Sequence, residues 1–504
     1  MTRGAHRANP GRTDTRRRRP FTLVDELNCY FDTPAEPANV HLEMRIPGRL
    51  DLEAFRETAI TALMGNSRVS GRRAAASPLS CSFSWEYPAE LDFDPISFAT
   101  FSDVTELART RAEFIARSPS IATSPPVLLL VAEGPDCSHV ILNAHHATMD
   151  GMSCLELFRD IGRRYRACTG ADTGGTMRPV TAAEPAADDR ASTAAALAAL
   201  TAAASAGQPA LTAAGPAHHP APATAAELPA VTPGRLAATL PARIAAERGG
   251  QRGCDLRLYL LPGVPVVPGF SSGDTATLND ALITALILTI GRWNAEHGRP
   301  RRQVRITVPI NIRHAGQRPA LGNLSRLVTI AAMPPAPDAA LEPVLRDVAA
   351  QVRRAREQPG PQVDRESRGL AALWCPTAVK RSLVRAALRT VGPLVCDTVM
   401  LTNLGKVSAP PDFGQQGAVT LLFSAQAHMP RGISIGVVTA GRQPLIAMRY
   451  NRALLDEAAA SRFLASYLRA IGELTLPADQ GSKPSDPLNA DWSSEATAMT
   501  VPAD

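Results

Sequence analysis

The tract Ser138–Phe158, SHVILNAHHATMDGMSCLELF, sets His145, His146, Asp150 and Gly151 in the spacing HHxxxDG. An imidazole titrates near neutral pH. One histidine held against a substrate can therefore take a proton from an attacking group and hand it to a departing one. The flanking residues say where the pair sits. Val140, Ile141 and Leu142 are β-branched or aliphatic and predict a strand. Met152, Leu155, Phe158 and Ile161 recur at helical spacing. The two histidines thus lie on a short strand-to-helix loop, where a rigid scaffold can present an imidazole to a substrate.

Other readings of the same residues are weaker. A histidine on an apolar face is most often a satisfied core residue. A zinc site needs three or four His, Cys or carboxylate ligands, and no HExxH or paired CxxC occurs, so no metal is expected. A second pair, His218-His219, is followed by Pro220 and by no Asp-Gly, and reads as linker. Cys154 reads as a small buried hydrophobe rather than a nucleophile. There is no GxSxG elbow, and the DFG at 412–414 lacks the Gly-rich loop and HRD of a kinase, so it reads as a turn.

On these residues the chain resembles the condensation-domain and chloramphenicol-acetyltransferase-like superfamily of HHxxxDG acyltransferases. In look it is nearest to wax ester synthase/diacylglycerol acyltransferases and alcohol acetyltransferases. TLNDALITALILTIGRW (277–293) is similar to the Asn-Asp helix that opens the second half in wax ester synthases. VPINIRHAGQRPALGNLSRLVTI (308–330) is similar to the following strand, loop and GN-turn. LTNLGKV (401–407) resembles the late Ser/Thr-Asn strand end, and 432–471 the closing hairpin and last helix. The segments stand in family order over 20–170 and 254–475. Two departures matter: the peptide-synthetase HQDxPFE and RDxSRNPL motifs are absent, and Leu404-Gly405-Lys406 replace the Pro-Gly-Pro of wax ester synthases.

The resemblance implies an α/β (α+β) fold of two similar lobes, each a mixed sheet with helices, meeting in a V around a central tunnel. It implies transfer of an acyl group from a thioester to an alcohol or amine, with His146 as general base. Acyl-CoA is the expected donor and a carrier-protein thioester the second choice, as in a free-standing condensation enzyme making an ester or amide. The rival from another class is a catalytically silent docking module of this fold. No cofactor beyond the thioester co-substrate is expected. Asp150 is expected to fix the loop by accepting its hydrogen bonds or pairing with an arginine, for which Arg313 is the candidate. Gly151 is expected to bring backbone near the substrate and offer an amide to the oxyanion. His145 is expected to pack or hydrogen-bond beneath the loop. Asn279 and Asn403 are candidates for polar contacts from the second lobe, with a cap or turn as the equal alternative.

Composition bounds the rest. At 504 residues the chain exceeds one hydrophobic core. The formal charge of +6 lies in residues 1–20, where seven arginines face one aspartate; the remainder holds 46 basic and 46 acidic residues. The charge therefore marks a tail rather than a nucleic-acid-binding surface, and a tail of this kind is expected to be disordered. At most it would touch acidic lipid or RNA weakly. No apolar run reaches 18 residues, so no transmembrane segment is expected. Eight scattered cysteines fit a reducing cytoplasm.

Along the chain, VHLEMRI (40–46) alternates and predicts a half-buried strand, with His41, Glu43 and Arg45 on its polar face. Asp51 predicts an N-cap and Gly65 a terminator for the helix between them. PVLLLVAEG (126–134) and SHVILNA (138–144) predict a hairpin leading into the motif. In residues 181–240, 25 of 60 are alanine and none is aromatic, too little to offset ordering entropy. The expected organisation is a basic tail (1–20), an N-terminal lobe (21–170), a linker (171–250), a C-terminal lobe (251–476) and a disordered end (477–504).

Overall fold

The computed structural model describes residues 18–170, 240–247, 252–270, 275–313, 321–357, 375–415, 417 and 419–476. The expectations for residues 1–17, for 171–239 of the linker and for 477–504 fall outside them. In chain order the elements are β1 (Arg18–Pro20), α1 (Leu23–Phe31), β2 (Asn39–Pro47), α2 (Leu52–Met64), α3 (Ser67–Ser70), β3 (Arg72–Arg73), β4 (Ser84–Glu86), β5 (Ile96–Thr100), α4 (Val104–Ala116), β6 (Val127–Glu133), β7 (Cys137–His145) and α5 (Gly151–Thr169). There follow β8 (Cys254–Leu260), α6 (Leu278–Glu296), β9 (Val304–Asn311), β10 (Ser325–Ala332), α7 (Glu342–Glu357), α8 (Thr377–Thr390), α9 (Gly392–Val395), β11 (Val399–Val407), β12 (Thr420–Ser424), β13 (Ile433–Ala440), β14 (Gln443–Asn451) and α10 (Glu457–Leu474).

Two mixed sheets carry the architecture, one of five strands in the order β12-β2-β7-β6-β5 and one of six, β10-β9-β11-β13-β14-β8. In the first, Val40, Leu42, Met44 and Ile46 face α2 and α5, packing on Phe55, Leu63, Leu155, Phe158 and Ile161. The expected β6–β7 hairpin is present, and β7 ends on His145, which pairs with Asn39 of β2. In the second sheet, Ile306, Ile435, Ile446 and Met448 pack on α6 and α10. From Ala281 to Ile290 every residue of α6 is buried, which is why its sequence is apolar on nearly all sides.

The strand β2 departs from its expected pattern. Both faces are buried, because α4 lies over the polar one. Glu43 accepts from Arg111 Nε (2.7 Å) and Nη2 (2.9 Å) and meets His139 Nδ1 at 2.6 Å. Burial opposes ionisation of Glu43, yet Arg111 and the two imidazoles hold its carboxyl well below the usual range. Asn39 and Asn143, register neighbours of the motif, donate to the carbonyls of Ile115 (2.8 Å) and Phe114 (2.9 Å). They thereby cap the open C-terminal end of α4.

The sequence divisions also shift. Arg18–Pro20 are not tail: they pair with β4 in a small third sheet, and Phe21 stacks on Trp85 at 4.4 Å. The linker ends before residue 250, since Ala242, Ile244 and Ala245 are buried in the second core and Trp293 Nε1 donates to Ala245 O (2.9 Å). Nor is the second half self-contained. Its β12 pairs antiparallel with β2, setting Ser424 opposite His41. Its α8 packs on α1, with Lys380 Nζ donating to Cys81 O (2.7 Å) and Arg385 Nη2 to Asp32 O (2.7 Å). Apolar surface on the first half dictates this exchange, because β2 is a central strand only when β12 covers its edge.

Candidate active site

The loop between β7 and α5 is tied down at every residue that the HHxxxDG spacing fixes. Backbone bonds set its path: His146 N–H donates to Ala38 O (2.7 Å) and Thr148 N–H to His145 O (2.9 Å). Asp150 is the N-cap of α5 and accepts from Ser153 N–H (2.9 Å). An aspartate suits the start of a helix because its carboxylate satisfies free amides and meets the positive end of the dipole.

The contact between Asp150 and Arg313 is present and bidentate, at 3.0 Å from Nη1 to Oδ2 and 2.8 Å from Nη2 to Oδ1. Leu324 N–H adds a fourth donor to the same carboxylate at 2.9 Å. Arg313 also donates to Ser153 Oγ (2.6 Å) and Gly322 O (3.2 Å), and Gly322 N–H to Ser153 Oγ (3.0 Å). The motif loop of one half is thus locked to Arg313 and to Gly322–Leu324 of the other by a dense charge-assisted network.

His146 is half-buried and points its Nδ1 at Asn323 Oδ1, 3.2 Å away. The Asn323 amide is oriented by its other end, which donates to His146 O (2.7 Å) and Ala147 O (3.1 Å). Oδ1 must then accept, so the neutral ring carries its proton on Nδ1 and its lone pair on Nε2. Burial lowers the pKa of His146 below the ordinary imidazole value, which keeps the ring in its proton-accepting form.

His145 lies beneath the loop, fully buried. Its Nδ1 accepts the Ala147 N–H (3.1 Å) and its Nε2 stands 3.8 Å from Asp32 Oδ2. Burial works against the Asp32 charge, but His145, the Ala38 amide and Ser118 outweigh it and hold the carboxyl at about 2. Gly151 is glycine for a packing reason: a Cβ there would lie 2.4 Å from the Phe423 ring and 2.9 Å from Leu404. Asn403 Nδ2 donates to Asn279 Oδ1 (3.3 Å), so these two meet each other, while Asn403 Oδ1 accepts the Gly405 N–H (2.8 Å) and shapes the end of β11. Cys154 is fully buried, and burial pushes its thiol well up. Among the described residues no three His, Cys, Asp or Glu side chains converge as a metal site.

Sequence reasoning missed four residues of this site. Asn323 orients His146; Ser153 bridges Arg313 and Gly322; Asp25 and Arg68 brace the loop from below. Asp25, wholly buried, accepts from Arg68 Nη2 (2.6 Å), Trp85 Nε1 (3.1 Å) and Asn323 Nδ2 (3.4 Å). The Gly-Asn step at 322–323 was the available signal for Asn323; nothing local marks the others.

No family model matches the sequence. Two uncharacterized proteins of Mycobacterium tuberculosis, Rv2305 in strain H37Rv and MT2362 in strain CDC 1551, are each 26% identical over 466 residues, covering 89% of this chain and 97% of the relative. Among solved structures, the starter condensation domain of rhizomide synthetase RzmA is similar at TM-score 0.53 and 13% identity, over 90% of this chain and 96% of that one. A variant of that domain in complex with C8-CoA and Leu-SNAC is similar at TM-score 0.55 and 12% identity, over 90% and 93%. The EpoB cyclization-docking bidomain of Sorangium cellulosum is similar at 0.54 and 14%, over 92% and 85%. With its two mixed sheets and the motif loop at the end of β7, this chain has the fold of these condensation and cyclization domains.

Proposed function

We propose that this protein transfers an acyl group from a thioester to a hydroxyl or amine, with His146 as the general base. The observation that carries the reading is the fixed protonation geometry of His146: Nδ1–H is committed to Asn323, which leaves Nε2 to accept a proton. The acceptor's O–H or N–H gives its proton to Nε2 as its heteroatom bonds to the thioester carbonyl carbon. The tetrahedral intermediate then collapses, the C–S bond breaks, and the thiolate recovers the proton from the imidazolium. No covalent acyl-enzyme is needed. Asp150 and Arg313 act as positioning residues, holding the loop so that the imidazole need not reorganise during the reaction.

Acyl-CoA is the proposed donor and a carrier-protein thioester the alternative. The similarity to a domain solved with C8-CoA supports the first, and that to a cyclization-docking bidomain the second. The test is mass spectrometry of the full chain incubated with a panel of acyl-CoAs, acyl-pantetheines and small alcohols or amines. New ester or amide products with wild type and none with His146→Ala are expected. Products formed equally by both proteins would remove His146 from the chemistry, and none with wild type across the panel would favour the silent docking module.

A further inference from the structure

Far along the chain from the motif, α8 is polarised the wrong way round for a surface helix. Its charges turn towards the protein. Lys380 is buried with Nζ on Cys81 O (2.7 Å), and Arg381 Nη2 and Arg385 Nη2 donate to Asp32 O (3.2 and 2.7 Å). Of its exposed positions only Arg389 is charged; the others run from Ala378 and Val379 through Ser382, Leu383, Ala386 and Ala387 to Thr390. A surface helix ordinarily shows water its charged face. The apolar stripe continues past the helix in Val391, Leu394 and Val395. Leu79 stands beside the first turn, where Ser80 O accepts the Thr377 N–H (2.9 Å). Leu79, Val379, Leu383, Val391, Leu394 and Val395 are 46–77% exposed, and they are half of the large hydrophobics so exposed among the described residues. A cluster of that kind marks an interaction site.

The stripe borders a basic groove. A cavity of about 630 Å³ lies between the β3–β4 segment and the first turns of α8, and Ala378 and Ser382 belong both to its wall and to the exposed stripe. Arg72, Arg73 and Arg381 line it, with Glu86 as the one carboxylate. Arg72 holds Glu86 (2.7 Å) and Asp92 (2.6 Å). Arg73 lies over the Phe83 ring at 5.0 Å, and neither it nor Arg381 pairs with a carboxylate among the described residues. Residues 375–396 hold four basic side chains and no acidic one.

Two guanidinia without carboxylate partners, beside an uncharged aliphatic ridge, fit a surface that is anionic in one layer and apolar in the next. A second copy of this chain fits poorly, since a two-fold contact through this face would set like charges against each other. A protein partner asks for directional hydrogen bonds, about one per 100–200 Å². The stripe has none to give: the hydroxyls of Ser382 and Thr390 are spent on the helix's own carbonyls, Ala378 O (3.1 Å) and Ala386 O (2.9 Å). Acyl tails ask for none. We propose that this face docks on an anionic lipid bilayer, with the Arg73–Arg381 groove taking headgroup phosphates while Val379, Leu383, Leu394 and Val395 enter the acyl boundary. The helix lies along the surface, for no helix among the described residues is long and apolar enough to cross a membrane. The proposal stands apart from the acyl-transfer reading.

The test is co-sedimentation of the full chain with vesicles of phosphatidylglycerol and phosphatidylcholine in equal parts, or of phosphatidylcholine alone. Wild type should bind the anionic vesicles more tightly, and part of that binding should persist in about 1 M NaCl, where the Debye length falls to about 3 Å. Val379→Ser with Leu383→Ser should weaken binding at least about fivefold and abolish the salt-resistant part. Arg73→Gln with Arg381→Gln should weaken it at least about fivefold and remove most of the preference for phosphatidylglycerol. Should either pair lower Tm, Leu394→Ser with Val395→Ser is the further variant, with the loss expected of the first apolar pair. Binding that vanishes in salt and ignores the apolar substitutions would belong to the arginines of residues 1–17 and would overturn the proposal. So would no binding to anionic vesicles, which would leave an acidic protein as the occupant. A lipid-free dimer in sedimentation velocity that the same substitutions dissolve would assign the face to a second copy instead.

Discussion

Removing the Arg313 guanidinium is the sharpest probe of how the motif works. Arg313 and Asp150 are only 14% and 8% exposed at their side chains, and their bidentate contact joins the two halves of the chain. Arg313→Met keeps the bulk of the stem but strands the Asp150 carboxylate. Breaking a buried pair from one side costs about 3–5 kcal/mol. Asp150 retains the Ser153 and Leu324 amides, so the lower end applies, about 3 kcal/mol. At the usual unfolding entropy per residue, a folded body of this size should lose about 3–5 °C in Tm. Asp150→Asn strands the charge on the other side and should lose a similar amount. The double variant strands neither, so its loss should fall short of the sum by at least about 1 kcal/mol. Turnover of any substrate found by the panel should drop by about 10- to 100-fold in each single variant, through misplacement of His146. The assay is a double-mutant cycle, read by thermal melts and by initial rates. A Tm within about 1 °C of wild type for Arg313→Met, or strictly additive losses, would refute the idea that this pair is the strut of the catalytic loop.

His146→Ala should lower turnover by at least about 10²-fold with little change in Tm, since the ring is half-buried and its backbone bonds survive. Because burial lowers the His146 pKa, the basic form persists below the usual imidazole value; the acid limb of the pH–rate profile should fall below about pH 6.5, and an inflection above it would contradict the assignment. Gly151→Ala should cost about 1–3 kcal/mol by driving a methyl into Phe423, and Phe423→Leu in the same chain should recover part of it, which paired thermal melts would show. His428 is held neutral with its pKa at about 4, below its unfolded value; stability should therefore be full above about pH 6.5 and drain away as pH falls towards 4, by about 3 kcal/mol from this group. His428→Gln should flatten that slope in urea melts taken across the range, and an unchanged slope would show that other groups govern it.

Sequence alone determined what depends on neighbours along the chain. The apolar run before His145 and the helical spacing after Gly151 made the strand–loop–helix readable. Those patterns are local responses of backbone and side chain to water and to helix ends. The apolar girth of α6 announced its burial for the same reason. The pairing of Asp150 with Arg313 was readable only through a resemblance, because 163 residues separate them. Tertiary structure decided the rest. Whether the polar face of β2 meets water or α4 is set by where α4 docks, so Glu43 and His41 read as surface and are core. The passage of β12 into the first sheet turns on Gly436 and Phe423 meeting across the fold, which no periodicity encodes. Asn323, Asp25 and Arg68 gain their roles at the motif loop by the same kind of long-range contact. Polarity patterns report the environment that a segment prefers, whereas the partner that supplies it is chosen by packing the whole chain at once.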